Sequence, residues 1–235
     1  KEDYNHIGEV VSSEYILVKT TFEVETEGFV ADILCPDGTA IEIQTGNLGH
    51  LEKKIKHFIT YKKNVRIVYP LVISKYIETE NETTGKKTKR KSPVRKTQLS
   101  IFKELTKLTP YLLSRYFFLD IVEVVITETR TDSGFLMQSK NNQRRFKKTW
   151  NKTGKKLEEI KSRFTLHGKK SWKKLIPENL PKEFCVKDLL KEFKKTDRKI
   201  SEQEVRLMVW CYLKMELIKF IKTEKRIKYY SASVN

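Results

Sequence analysis

The sequence predicts an α/β protein: a mixed sheet flanked by helices, followed by a smaller module of two helices and a β-hairpin. Three observations carry that expectation. Strand-like runs joined by a Pro-Asp-Gly turn crowd residues 15–45. A helical stripe then leads to a compact apolar run at Val65–Tyr69. After Pro181 the spacing becomes helical again before a short hairpin pattern closes the chain.

Taken in order, residues 1–11 suit a short helix. Tyr15 to Glu25 alternates and is rich in Val, Ile, Thr and Phe, which reads as a strand ended by Gly28. Phe29 to Cys35 is a second strand and Thr39 to Thr45 a third. Between them Pro36 presets φ and Gly38 supplies positive φ for a turn, so the three strands form an antiparallel meander. Gly46-Asn47 opens a helix to about Tyr61, with Leu48, Leu51, Ile55, Phe58 and Ile59 on one face. Val65–Tyr69 follows as a buried, parallel-type strand, which Leu71–Glu78 extends or pairs with. Asn81–Lys96 reads as a basic loop, Leu99–Leu113 as a helix and Phe117–Thr129 as a long strand.

Past Asp132 the composition turns basic and polar, as in a linker. Helices are then expected at Val186–Lys195 and Ser201–Met215, the second with Ser201 as N-cap and Glu204 at the capping-box position. Leu217–Ile221 and Ile227–Tyr230 make the hairpin. Helix, helix, hairpin is the order of a winged helix-turn-helix. Three segments result: a catalytic-type domain at 1–135, a basic linker or helical region at 136–175, and a winged-helix module at 176–235.

The 235 residues suffice for a sizeable core, and 25 aromatics exclude a disordered polymer. No apolar run approaches the roughly 20 residues of a membrane helix. No charged-then-apolar leader opens the sequence, and a first residue of Lys rather than Met is expected of a chain trimmed upstream. Cys35, Cys185 and Cys211 lie far apart in apolar contexts, outside any zinc spacing, as buried thiols of a reducing cytoplasm do.

The net charge is +18, and it is uneven. Residues 83–97 hold seven Lys and Arg with no acid, and residues 140–175 hold fourteen against two Glu. Residues 23–42 carry Glu23, Glu25, Glu27, Asp32, Asp37 and Glu42 with no Lys or Arg. An acidic pocket beside basic stretches suits a metal site flanked by phosphate-binding surfaces. A Lys-rich composition with solvated charged faces is the blander alternative.

The chemistry centres on Asp32, in Val30-Ala31-Asp32-Ile33-Leu34, and on Glu42 and Gln44, in Ala40-Ile41-Glu42-Ile43-Gln44. Residues i and i+2 share a strand face, so Glu42 and Gln44 point one way and the hairpin brings Asp32 alongside. Ile33, Ile41 and Ile43 point into the core. Two carboxylates among apolar strand residues are costly unless a positive group offsets them. Mg²⁺ (or Mn²⁺) does so with one or two carboxylates, water and substrate phosphate. A structural ion pair with Lys or Arg is the competing reading. Glu23 and Glu25 are rival acids on the first strand, but a solvated edge suits them better. His6, His50, His57 and His167 form no metal-ligand spacing.

Asp, about ten residues, then Glu-x-Gln resembles the PD-(D/E)XK restriction-like nuclease superfamily in its variant with Gln in place of Lys. A second likeness runs along the chain, to a bacterial family of nuclease-like proteins. It rests on Glu2 and His6, Gly28-Phe29-Val30-Ala31-Asp32-Ile33, Glu42-Ile43-Gln44-Thr45, Lys54, Val68-Tyr69-Pro70, Lys91-Ser92-Pro93 and the terminal wing. The resemblance implies a restriction-endonuclease-like fold. It also implies Glu2 as an acid from a helix before the sheet, with Asp32, Glu42 and Glu2 holding metal and Gln44 assisting. Replacing Lys by Gln removes a cation. Lys54, on the following helix, either returns that charge or is an ordinary surface lysine.

Candidate nucleic-acid contacts are Lys54, Lys91, Arg95, Arg144, Arg145, Lys147 and Lys148, with Lys222 and Arg226 on the wing. Phe146, Trp150, Phe164 and Trp172 interleave with the basic residues, either to stack on bases or to anchor amphipathic helices. The expected function is a metal-dependent DNA nuclease hydrolysing phosphodiester bonds, in a defence or mobile-element system. The alternative is an inactive nuclease fold that binds DNA, or docks a partner protein through its winged module, inside a larger complex. RNA stays open as a partner; a membrane is not expected.

Overall fold

The protein, seen in a computed structural model, is described over residues 21–26, 28–139 and 145–232. The helix expected at residues 1–11 lies outside them. In chain order the strands are β1 (Thr21–Thr26), β2 (Phe29–Leu34), β3 (Ala40–Ile43), β4 (Val65–Asn81), β5 (Lys87–Lys91), β6 (Phe117–Met137), β7 (Lys148–Leu166), β8 (Ile218–Glu224) and β9 (Ile227–Ala232). The α-helices are α1 (Glu52–Thr60), α2 (Phe102–Leu105), α3 (Gly168–Lys173), α4 (Val186–Thr196) and α5 (Glu202–Lys214). The class is mixed α/β, a mixed sheet flanked by helices with a small second sheet. No helix among the described residues is long and apolar enough to cross a membrane.

Two compact units divide the described chain. The first takes the residues up to Pro70, then Thr97–Ile121, then Phe164 onward. In it β1 pairs antiparallel with β2, β2 antiparallel with β3, and β3 parallel with β4. The meander and the parallel crossover both follow the expected pattern, because α1 occupies the connection that parallel strands require. The turn before β3 also forms as expected: Gly38 sits at φ 79 and its N–H donates to the Cys35 carbonyl. Both faces of β3 are covered, with Ala40, Ile41 and Glu42 all buried.

Helix α1 begins later than the apolar spacing predicts. Asn47 adopts a left-handed conformation at φ 55, and a 3-10 turn at Leu48–Leu51 intervenes. The helix expected at Leu99–Leu113 is broken too. A 3-10 turn at Gln98–Ile101 leads into the single turn of α2, and turns continue to Ser114. Pro110 has no N–H for a helical bond to residue 106, and its ring opposes that carbonyl.

The C-terminal helices and hairpin belong to this first unit. The expected order of α4, α5 and the antiparallel pair β8–β9 is present. Glu204 closes the capping box with Ser201 and also accepts hydroxyls from Thr97 and Ser100. Tyr212 donates to the Trp172 carbonyl at 2.8 Å, and the Trp172 indole donates to Leu112 at 3.2 Å. These bonds tie the module to the segment around α2 instead of leaving it on a linker.

The second unit takes Leu71–Lys96 and Val122–Arg163, with strands in the order β5, β4, β6, β7. Two expectations are overturned here. The loop expected at Asn81–Lys96 contains a strand, β5, which makes a hairpin with β4. The Asn81 side-chain oxygen accepts the N–H groups of Thr83 and Thr84, Gly85 takes φ 65, and β5 returns along β4. The expected linker or helical stretch at 136–175 is largely the 19-residue strand β7. Its side chains are mostly exposed or half-buried, so no apolar alternation announced it. Ser162–Glu123, Thr153–Thr129 and the Ser133 hydroxyl bond to Thr149 hold it along β6.

Candidate active site

The hairpin register assembles the site. Ile33 pairs with Ile41 and Leu34 with Ala40, so one further step sets Asp32 opposite Glu42. Alternation along β2 then separates the roles: Ala31 and Ile33 are buried, while Asp32 is exposed. Asp32 Oδ2 accepts the Ile43 N–H at 2.8 Å, which fixes the carboxylate against β3.

Glu42 is 4% exposed. A charge so buried needs a partner, and α1 supplies it. Lys54 Nζ donates to Glu42 Oε1 at 2.8 Å and to the Val30 carbonyl at 2.6 Å. Ile55 and Phe58, buried on the same helix, hold α1 against the sheet. Burial pushes the Glu42 carboxyl above the usual carboxylate range; the Lys54 hydrogen bond pulls it down and the Asp32 charge pushes it up, with a net upward shift. Lys54 is therefore no ordinary surface lysine, and the competing ion-pair reading is realised for Glu42.

Gln44 continues β3 without joining this cluster by a hydrogen bond. Its N–H donates to the Val68 carbonyl at 3.0 Å and its side-chain amide to the Gly46 carbonyl at 2.7 Å. It orders the turn into α1. Glu2 lies outside the described residues, as does Arg144. Glu23 and Glu25 are exposed on β1. Among the described residues, no group of three or more His, Cys, Asp and Glu side chains could hold a metal. The Asp32–Glu42 pair gives two hard oxygen donors, a number that fits a Mg²⁺ retaining several waters.

The basic candidates fall in two places. In the second unit Lys91 lies on β5, whose five residues are all exposed. Arg95, Arg145, Lys147 and Lys148 are exposed too. Arg145 sits 5.2 Å from the Phe146 ring, and Trp150 takes Arg130 at 3.6 Å and Lys148 at 4.9 Å. Phe146 and Trp150 thus stand at or beside a strand, not on the amphipathic helices that their spacing allowed. In the C-terminal module Arg226 is exposed in the hairpin turn, while Lys222 pairs with Glu183 at 2.9 Å.

Two polar clusters gave little signal in the sequence. Asp120, fully buried on β6, accepts both Arg66 Nη1 bonds and the Thr165 hydroxyl. Arg66 lies 4.7 Å over Phe118, which stacks on His167 at 4.0 Å. In the second unit Glu128 joins Lys75 and Arg130. The hint for the first cluster was a charge inside each of two apolar runs, Arg66 in Val65–Tyr69 and Asp120 in Phe117–Val122.

No solved structure matches the chain. Over 167 residues it is 32% identical to an uncharacterized protein of Treponema pallidum (strain Nichols), an alignment covering 71% of this chain. The same alignment covers 63% of that relative, so the chain spans less than two thirds of its length. Residues 10–167, through the end of β7, match a family described as a domain of unknown function, DUF8091. That match takes in β1–β7 and the Asp32–Glu42–Lys54 cluster, and it covers most of the chain: the protein is a member of the DUF8091 family.

Proposed function

We propose that the protein is a metal-dependent DNA nuclease of restriction-endonuclease-like fold, with Asp32, Glu42 and Lys54 at its centre. One observation carries this reading: Lys54 reaches from α1 to within 2.8 Å of Glu42, across from Asp32. It returns to the site the cation that Gln44 does not supply.

Asp32 and Glu42 would hold Mg²⁺ or Mn²⁺. Such an ion, when bound, activates water and offsets charge on the scissile phosphate. Lys54 commits two of its three donors to Glu42 and Val30, which leaves the third for a phosphoryl oxygen. Asp32, held by the Ile43 N–H, forms the solvent-facing lip. The exposed cations of β5 and of the start of β7 would grip the DNA backbone by displacing its counterions. Free thiols at Cys35, Cys185 and Cys211 agree with a reducing cytoplasm.

A second reading is an inactive nuclease fold that binds DNA within a larger complex. It is favoured by the near-complete burial of Glu42 and its neutralisation by Lys54. Thermal melting in Mn²⁺ separates the two. A live site raises the melting temperature in proportion to ln(1 + [metal]/Kd). Asp32→Asn, which keeps an oxygen for the Ile43 N–H, should remove that rise together with cleavage of a labelled duplex. An unchanged melting temperature at saturating metal, with no cleavage, supports the binding-only reading instead.

A further inference from the structure

Helix α5 carries a core stripe and a partly exposed face. Val205, Met208, Val209, Cys211 and Tyr212 are buried and form the core stripe. Arg206, Trp210 and Leu213 recur at helical spacing on the other face, which with the buried Val209 lines a groove of about 360 Å³ against the hairpin turn and the start of α4. Trp210 is 42% exposed there. Lys214 lies 5.9 Å over its ring, and exposed apolar surface rimmed by polar groups is the make-up of a contact surface.

The rim is cationic. Lys187 from α4, Arg206 from α5, and Arg226 and Lys228 from the hairpin all line the groove. Among the described lining residues the only acid is Glu202, and Arg206 already engages it through Nε at 2.9 Å and Nη2 at 2.5 Å. Lys187, Arg226 and Lys228 therefore meet no carboxylate among those described residues, around an apolar floor.

A helix that reads base edges presents polar side chains toward the groove of DNA. Here the first turn offers Glu202, which repels phosphate, and the middle offers Trp210 and Leu213. An aliphatic floor gains nothing from a phosphate backbone. It gains from an apolar side chain, and the rim gains from carboxylates.

We infer that the groove between α5 and the β8–β9 hairpin docks an acidic peptide segment of a partner protein, with an apolar anchor on Trp210 and carboxylates on Lys187, Arg226 and Lys228. This assigns Arg226 to a carboxylate partner, and it stands whether or not the Asp32 site cleaves DNA.

The test is fluorescence anisotropy of the full chain with a fluorescein-labelled peptide of Glu and Asp flanking a Leu-Leu pair. Saturable binding is expected, weakened at least about tenfold by Trp210→Ala, as for a hot-spot aromatic. Lys187→Glu together with Arg226→Glu should abolish it and should bind instead the peptide with Lys in place of Glu and Asp. All these substitutions lie at exposed positions, so circular dichroism should be unchanged. No saturable binding, or binding indifferent to both variants, overturns the proposal. So does displacement of the peptide by duplex DNA whose own binding needs Trp210, which makes the groove a nucleic-acid site.

Discussion

Lys54 and Glu42 form an ion pair at 2.8 Å whose side chains are only 14% and 5% exposed. Removing one partner of so enclosed a pair leaves an uncompensated charge. Lys54→Met should cost about 3 kcal/mol of stability at neutral pH. Glu42 already titrates above the usual carboxylate range, chiefly through burial, and loss of Lys54 raises it further. A raised folded value means that protonation relieves the fold, so the deficit is full above that value and shrinks as pH falls through it. Urea unfolding of both proteins at neutral and mildly acidic pH checks this; a deficit that does not change with pH contradicts it.

Glu204 accepts from Thr97 Oγ1 at 2.7 Å, Ser100 Oγ at 2.5 Å, Ser201 Oγ at 2.8 Å and the Ser201 N–H at 2.9 Å. Burial pushes its carboxyl up, but these donors together outweigh burial and hold it below the usual range. The stability it contributes is therefore present above the ordinary glutamate pKa and is lost as pH falls through the lowered folded value. Glu204→Gln should lose about 1–2 kcal/mol at neutral pH, the scale of a helix cap with its hydrogen bonds. It should also flatten the acid limb of the stability curve. Glu128, held low by Arg130 and Lys75 against its burial, adds a limb of the same sign that the variant leaves intact.

The capping box at Ser201–Glu204, the Pro36–Gly38 turn and the β2–β3 hairpin were legible in the sequence because each is a local rule. Asp32 and Glu42 were legible for the same reason: a short turn fixes a register, and the register fixes a face. What the sequence hid is non-local. That Lys54 meets Glu42 depends on how α1 lies on the sheet. That Thr97 and Ser100 reach Glu204 depends on contacts across more than a hundred residues. Strand β7 was hidden for another reason: it gains its order from pairing along β6 and buries almost no apolar side chain, so its composition resembled a linker.

Arg66 and Asp120 test the same physics at a site without proposed chemistry. Asp120 is fully buried, and Arg66 Nη1 approaches its two oxygens at 3.0 and 2.8 Å. Arg66→Met should destabilise by about 3–5 kcal/mol, because the aspartate charge stays behind without its guanidinium. Adding Asp120→Leu should recover most of that loss. A double variant no better than the single one would contradict this account of the pair.

The second unit concentrates cations on β5, where Lys87, Lys89, Arg90 and Lys91 are all exposed. Lys89→Ala and Lys91→Ala should weaken duplex binding uniformly across sequences. Each should lower the slope of log K against log salt by about one. Filter binding over a salt series reads this directly, and unchanged slopes would remove β5 from the interface.

The most direct test of the central claim is cleavage of an end-labelled DNA duplex, with and without added Mg²⁺ or Mn²⁺, by the wild-type chain and by Asp32→Asn. The expected result is metal-dependent cleavage by the wild type and none by the variant, with binding of the duplex retained by both. Equal cleavage by Asp32→Asn, or no cleavage by the wild type in either metal, would contradict it.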